Sequence, residues 1–181
     1  MSSRRRLVPA FLGLLLVFVL CGLAQGGQAS GITVPPGTKL ATLKYSDGGV
    51  VNLKPAEQVA FLFVYGMKDL ESTCGSTFFG GPGRPCSMSE LVDGLKTKNG
   101  QTIGLNQNPA QDLKYSYTLT IIGKHCVITA IPKGAGLGAF AWVGAPGGMG
   151  NGGFYYNPDG ADLTKAKDFG EMGYAGNGFK R

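Results

Sequence analysis

The sequence predicts an α+β fold, in which one long helix packs on an antiparallel meander sheet. The first observation is a helical period of apolar residues that begins at Pro55. The second is that every strong strand pattern lies later in the chain, between 115 and 157, with short connections. A chain of 181 residues is long enough for one domain with a sizeable core.

The composition is typical of an exported domain that is rich in loops. Glycine accounts for 31 residues, and charged residues make up only 15% of the chain. Taking Arg4–Arg6 from the 17 basic residues leaves 14, against 11 acidic residues. The remaining lysines are scattered along the chain, so the charge gives little support to nucleic-acid binding.

Residues 1–29 have the pattern of a signal peptide. A basic start at Arg4–Arg6 precedes an apolar run, Leu7–Leu23, and then small residues suited to cleavage. We therefore expect a secreted or periplasmic protein. A retained membrane anchor formed by residues 7–23 is the alternative. Lipid attachment at Cys21 is disfavoured because Leu20, before it, is not small.

Residues 30–54 are predicted to form an extended lead followed by a hairpin. Asp47 and Gly48 supply the turn signal of that hairpin. The α+β domain then covers residues 55–181 and opens with the long helix. Asn52 is the predicted cap of this helix, and Pro55 lies in its first turn.

The long helix is apolar on two sides, which predicts burial against a sheet or a partner. A membrane helix is the less favoured alternative, because charged residues bound the apolar stretch. One apolar face, at the spacing i, i+3, i+4, consists of Val59, Leu62, Phe63, Met67 and Leu70. The opposite side is made apolar by Phe61, Val64 and Tyr65.

Cys74 and Cys86 bracket the stretch CGSTFFGGPGRPC. Close cysteines in an exported protein usually form a disulfide, which would stabilise this one by about 3 kcal/mol. A zinc site is disfavoured, because the chain has no C-x-x-C pair and only one histidine. The stretch therefore predicts a covalent clip near the end of the long helix.

The second half of the chain predicts a short helix and then strands. Ser87 and Glu90 form a capping box for the short helix, which Gly94 is expected to end. The segment KYSYTLTIIGKHCVITAIP predicts a hairpin with a two-residue turn at Gly123 and Lys124. GAFAWVG and GGFYYNP predict two more strands, and the tail after them is expected to wrap the sheet edge or fray.

Cys126 is the cysteine left over, and it lies in a strand pattern beside His125. A thiol nucleophile with an adjacent base is one interpretation. Neighbours on a strand point to opposite faces, which disfavours cooperation between them. The preferred interpretation is a buried cysteine, or an alternative disulfide partner for Cys74 or Cys86.

Two further groups are candidate binding residues. Asn157, Asp159 and Asp162 offer oxygen ligands for calcium, although a plain turn is the favoured interpretation of this segment. Trp142, Tyr155 and Tyr156, among the aromatics of the last two strands, are candidates for an exposed interaction platform. The glycine-rich 134–139 resembles a dinucleotide motif but leads into a strand, so we expect a loop there.

The order of these segments resembles the globular part of type IV pilin-like proteins, and in particular the pseudopilins of type II secretion systems. The resemblance rests on a helix ending near a cysteine, then CSMSEL, KYSYTLTI, GKHCVITAIP and GGFYYNPDG. It implies an α+β head and filament assembly. It also implies, in some members, a calcium site near the C-terminal loop, where only the Asn157–Asp162 segment would match.

The chain departs from that family at its start, because it lacks the usual prepilin motif of a glycine cleavage site followed by phenylalanine and an acid. The expectation is therefore a detached, secreted, pilin-like head. Its expected role is structural or interactive and non-enzymatic, with protein partners in the cell envelope and no bound cofactor. A periplasmic calcium- or ligand-binding module and a thiol enzyme using Cys126 are the alternatives.

Overall fold

The computed structural model describes residues 31–32, 34, 37, 39–96, 108–123, 125–145 and 152–169. The predicted signal peptide, Lys124 of the predicted turn and the tail after Phe169 lie outside the described residues. Gly31–Arg181 form one compact unit. The hairpin at 42–52 therefore belongs with the helix and sheet that follow it.

The described residues combine helices with antiparallel sheets, which confirms the α+β class. Five strands form one meander in the order β3-β4-β5-β6-β7, and β1 and β2 form a separate hairpin. The strands are β1 (Thr42–Lys44), β2 (Val50–Asn52), β3 (Tyr115–Ile122), β4 (His125–Pro132), β5 (Ala139–Gly144), β6 (Gly153–Asn157) and β7 (Lys167–Asp168). The helices are α1 (Pro55–Gly75) and α2 (Met88–Lys96), with single 3₁₀ turns at Thr77–Phe79, Pro109–Gln111 and Leu163–Lys165.

Helix α1 begins two residues later than a cap at Asn52 would place it. Lys54 is the N-cap, and its backbone N–H donates to the Glu57 carboxylate at 2.8 Å. Asn52 ends β2 instead, where its side-chain oxygen accepts a hydrogen bond from the Thr42 hydroxyl at 3.0 Å. The prediction of an Asn52 cap is wrong because Asn52 is still paired with Thr42 as the last residue of β2, and the chain turns into the helix only at Lys54.

Helix α1 packs on one face of the meander, against β4 and β5. Phe61 lies at the centre of this contact, with its ring 6.1 Å from that of Phe140 and 6.0 Å from that of Phe154. Phe63 meets Tyr117 of β3 edge to face at 5.3 Å. On the opposite apolar side of the helix, Phe61 and Val64 are thus buried within the domain and Tyr65 is half-buried. In the described part of the chain, no helix has the length and apolarity needed to cross a membrane.

Helix α2 is the short helix predicted after the second cysteine of the disulfide, and it packs on α1. Its predicted capping box is present, since Ser87 N–H donates to Glu90 at 2.7 Å and Glu90 N–H donates to the Ser87 hydroxyl at 3.3 Å. Gly94 does not end the helix, which continues to Lys96. A Cβ at Gly94 would come within 2.7 Å of Leu70, so this glycine allows the two helices to approach closely.

The β3–β4 hairpin has the predicted register. Ile122 pairs with His125, and Gly123 has the positive φ of 58° that a tight hairpin turn requires. Along β3, Tyr115, Tyr117 and Leu119 face the helix side and are more buried than the serine and threonines between them. Ile121 is 46% exposed, so the apolar face of β3 reaches solvent at its end.

The start of the tail supplies the fifth strand, β7. Beyond it, Phe169 forms an antiparallel bridge with Tyr45 and is only 2% exposed. The Ser46 hydroxyl donates to the Asp168 carboxylate at 2.5 Å. These contacts place the β1–β2 hairpin beside β7, at the end of the meander opposite β3.

Candidate functional site

Cys74 and Cys86 are joined by a disulfide with their Cα atoms 5.5 Å apart. The enclosed loop folds back over the end of α1, where Gly83 N–H donates to the Cys74 carbonyl at 2.9 Å. A Cβ at Gly81 would overlap the carbonyl at the end of the helix, so this close return needs glycine. The loop leaves Phe78 87% exposed. The clip therefore secures the helix end and leaves the Phe78 side chain exposed to solvent.

The three aromatic residues predicted to form an exposed platform are buried. Trp142, Tyr155 and Tyr156 are 1%, 3% and 4% exposed, so this prediction is wrong. Trp142 and Tyr156 belong to the core under α1, and Tyr155 packs with Leu163 on the other face of the sheet. Both faces of β5 and β6 are covered, which a period-two pattern of aromatics cannot reveal.

The segment from Asn157 to Asp162 is a hydrogen-bonded turn. The Asn157 side-chain oxygen accepts from Asp159 N–H at 2.8 Å, and Gly160 follows with a φ of 82°. Asp162 accepts from the backbone and the hydroxyl of Thr164 at 3.0 and 2.6 Å. These contacts account for the asparagine and the second aspartate through turn chemistry. Within the described ranges, no group of three or more His, Cys, Asp and Glu could hold a metal ion, and the calcium site stays a prediction.

Cys126 and His125, the predicted thiol and base, lie in different surroundings. The thiol is buried in the core, whereas His125 is exposed at the start of β4. Burial, and then the charge and hydrogen bond of Glu71, raise the pKa of Cys126 to about 12. Because the thiolate is the nucleophilic form, this environment opposes the thiol-enzyme alternative.

Three buried carboxylates organise the core, and none of them is predicted from the sequence. Glu57 is 1% exposed and accepts from Lys54 N–H at 2.8 Å, from Gly138 N–H at 2.9 Å and from the Tyr156 hydroxyl at 2.9 Å. Its position near the start of α1 could have indicated the first of these bonds. The other two donors lie 81 and 99 residues away in sequence, so no local pattern could have indicated them.

Asp112 and Glu71 anchor other parts of the fold in the same way. Asp112 accepts from the backbone N–H of Lys114 at 2.8 Å and from the Tyr117 hydroxyl at 2.6 Å, which holds the start of β3. Glu71 is fully buried and accepts from Cys86 N–H at 2.8 Å. A buried charge is tolerated where it is hydrogen-bonded, and each of these carboxylates meets that condition.

The face of the meander turned away from α1 carries an uncharged groove of about 270 Å³, which we call the threonine groove. Thr118 and Thr129 lie directly opposite each other, with their hydroxyl oxygens 2.6 Å apart. The groove is lined by Thr118, Thr120, Ile122, Val127, Thr129, Ile131, Ala161 and Leu163.

The threonine groove lies beside the edge of the sheet. Among the described residues, β3 pairs with β4 alone, and it extends for eight residues without a proline or a charge. Thr118 and Thr120 are exposed on this strand. A strand with a free edge can pair with another extended chain through its backbone groups.

No family model, curated protein or solved structure matches this chain.

Proposed function

We propose that this protein is an exported, non-enzymatic structural or interaction protein with a pilin-like head. Its expected partners are proteins of the cell envelope, and a pilus or secretion apparatus is the setting that the resemblance suggests. The observation that carries the interaction role is the threonine groove lying beside the edge of β3, which pairs with β4 alone among the described residues. The long helix on an antiparallel meander supports the pilin-like description.

The chemistry of this surface favours a polypeptide partner. Its lining residues are threonines and aliphatic side chains and include no charged group. Nucleic-acid binding depends largely on Lys and Arg contacts to phosphate, which this groove does not offer. An extended peptide could bond to the backbone of β3 while its alternate side chains enter the groove.

The other two candidate functions have weaker support. The thiol enzyme would need Cys126 as a thiolate, and the buried surroundings of that thiol favour the protonated form. The calcium module would need oxygen atoms that now accept hydrogen bonds within the Asn157–Asp162 turn. Neither candidate explains the exposed threonines of β3.

Export is tested by the intact mass of the native protein, measured separately from soluble and membrane fractions. The proposal predicts a soluble species that begins near Gly27 or Ser30 and gains about 2 Da on reduction of its disulfide. A membrane species that keeps Leu7–Leu23, or carries lipid at Cys21, would contradict the detached secreted head.

The interaction role is tested by placing a photo-crosslinking amino acid at Thr120 in the native envelope. The matched control places it at Ser89, which is exposed on α2 away from the groove. We expect a discrete protein adduct from position 120 only, lost when Thr118→Asp and Thr129→Asp put charges into the groove. Equal adducts from both positions, or adducts that survive the aspartates, would contradict the assignment of this surface.

A further inference from the structure

The outer edge of β3 lacks the features that usually prevent another strand from pairing with an edge. Natural edge strands are commonly short, charged, interrupted by proline or bent by a bulge. β3 has eight residues, contains no charge and no proline, and keeps a one-to-one register with β4 from Tyr115 to Ile122. Among the described strands, only β4 pairs with it. In this part of the chain, the outer edge is therefore open to a further strand.

The register with β4 decides which residues of β3 direct their backbone groups at this edge. Lys133 N–H donates to the Lys114 carbonyl at 2.8 Å, so these two residues form a hydrogen-bonded pair just before the strand. Hydrogen-bonded pairs alternate along an antiparallel ladder. The even-numbered residues of β3 therefore bond to β4, and the odd-numbered residues point their N–H and C=O groups outward. The outward-pointing residues are Tyr115, Tyr117, Leu119 and Ile121.

The side-chain pattern along this edge is the same in both directions. Around Leu119 the sequence is YTLTI, with a threonine on each side and then an apolar residue on each side. If two such strands pair antiparallel with Leu119 opposite its own copy, Thr118 meets Thr120, and Tyr117 meets Ile121. Threonine pairs and apolar pairs are both favourable when they lie directly opposite each other in a sheet. The strand is thus complementary to itself.

This pairing would also cover apolar surface that α1 leaves exposed. On the side of the sheet that faces α1, Leu119 is half-buried and Ile121 is 46% exposed. On the opposite side, the hydroxyls of Thr118 and Thr129 lie 2.6 Å apart across β3 and β4. Thr118 and Thr120 of two copies would repeat that contact across the new pair of strands. Both sides of the edge therefore gain contacts without burying a charge.

We propose that two copies of this protein pair through β3, with a two-fold axis at Leu119, so that their five-stranded meanders form one continuous sheet. The proposal rests on the interaction role proposed above and names the partner at this edge. Tyr117, Leu119 and Ile121 of each copy donate and accept backbone hydrogen bonds across the axis.

Other registers that keep the two faces matched use poorer backbone groups. An axis at Thr118 would pair Tyr115 with Ile121, but Tyr115 N–H already donates to the Asp112 carboxylate at 3.2 Å. An axis at Thr120 would require Gly123, whose φ of 58° belongs to the hairpin turn. The register at Leu119 is the one that uses only regular strand residues.

The first test compares two charge variants by sedimentation velocity of the native, disulfide-bonded protein in low-salt buffer. Thr118→Lys with Thr120→Lys places like charges opposite each other across the axis, whereas Thr118→Lys with Thr120→Glu places opposite charges there. The wild type should form a dimer as its concentration rises. The dissociation constant should be about tenfold or more higher for the lysine pair than for the lysine–glutamate pair. A wild type that stays monomeric, or equal dissociation constants for the two variants, would overturn the proposal.

A control separates this local effect from the added net charge. Thr42→Lys with Ser89→Lys adds the same charge at exposed positions on β1 and α2, away from β3. This variant should dimerise within about twofold of the wild type, because exposed charges distant from the contact are largely screened. Loss of the dimer equal to that of the lysine pair at 118 and 120 would overturn the proposal.

The photo-crosslinking amino acid at Thr120 distinguishes failure of this inference from failure of the proposed function. We expect an adduct with twice the mass of the mature chain, with the crosslink at or beside Thr118 of a second copy. An adduct with a different protein would overturn pairing through β3 and leave the interaction role standing, whereas the absence of any adduct would contradict both. This test needs no charge variant, so it decides the proposal even if the lysine pair does not fold.

Discussion

Replacing Glu57 with alanine should be one of the most damaging single changes outside the apolar core. The Glu57 carboxylate joins the start of α1 to Gly138, before β5, and to Tyr156 of β6. Alanine is a good helix former, so the change leaves the local preference for helix intact. The expected loss therefore comes from the hydrogen-bond donors that remain after the carboxylate is removed.

The size of this loss follows from those donors. Gly138 N–H and the Tyr156 hydroxyl make buried bonds to Glu57, and a buried donor without a partner costs about 1–3 kcal/mol. Lys54 N–H is only partly buried, so water can replace much of its bond. We expect Glu57→Ala to lower the free energy of unfolding by about 3–5 kcal/mol, a large part of the roughly 5–15 kcal/mol typical of a domain.

Urea denaturation measures this loss, with the midpoint and the m-value fitted together. Tyr156→Phe is the matched control, because it removes one of the three bonds and should cost about 1 kcal/mol. A loss below about 1 kcal/mol for Glu57→Ala, at an unchanged m-value, would refute the view that this carboxylate is a polar anchor of the core.

Three further predictions concern the clip, a close backbone contact and alkaline pH. Replacing Cys74 and Cys86 with alanine should lower the free energy of unfolding by about 3 kcal/mol, because the disulfide closes a loop between cysteines 12 residues apart and so reduces the entropy of the unfolded chain. An unchanged midpoint in urea would contradict this. Gly138→Ala should cost about 1–3 kcal/mol because its Cβ would overlap a tyrosine ring of β6, whereas Gly134→Ala, with open space around it, should be nearly neutral; equal effects in thermal melts would argue against the close contact. The folded protein holds the Cys126 proton up to about pH 12, whereas the unfolded chain releases it near pH 9.0, so the free energy of unfolding should fall as the pH rises through that interval. Cys126→Ala should make the free energy of unfolding, measured by urea titration, fall less steeply with pH. An equally steep fall in the variant would contradict the raised pKa of Cys126.

Sequence reasoning succeeded where a structure depends on neighbouring residues. The Asp47–Gly48 turn, the Ser87–Glu90 capping box and the turn at Gly123 are each specified within four residues, and all three occur at the predicted places. The α+β class also follows from the order of local patterns along the chain. These signals do not require knowledge of what packs against them.

The errors arise where distant segments decide the outcome. Gly94 has the local character of a helix end, but contact with Leu70 of α1 makes it an interior position of α2. Trp142 of β5 and Tyr155 of β6 lie on opposite faces of the sheet, so a sheet with one exposed face would expose one of them. Both are buried, because both faces of these strands are covered. Glu71 resembles an ordinary surface residue near a helix end, and only the folded chain brings the backbone N–H of Cys86 to it.

The two ends of the meander differ in a way that limits how copies of this protein could join. At the β3 end the described edge is eight residues long, whereas β7 has two residues and β2, in the hairpin beyond it, has three. Short edge strands offer too few backbone bonds to recruit another chain. Among the described strands no second long edge remains for a third copy, so pairing of two copies through β3 would be isologous and complete at two. As far as the described strands go, a filament would have to grow through a surface other than their edges.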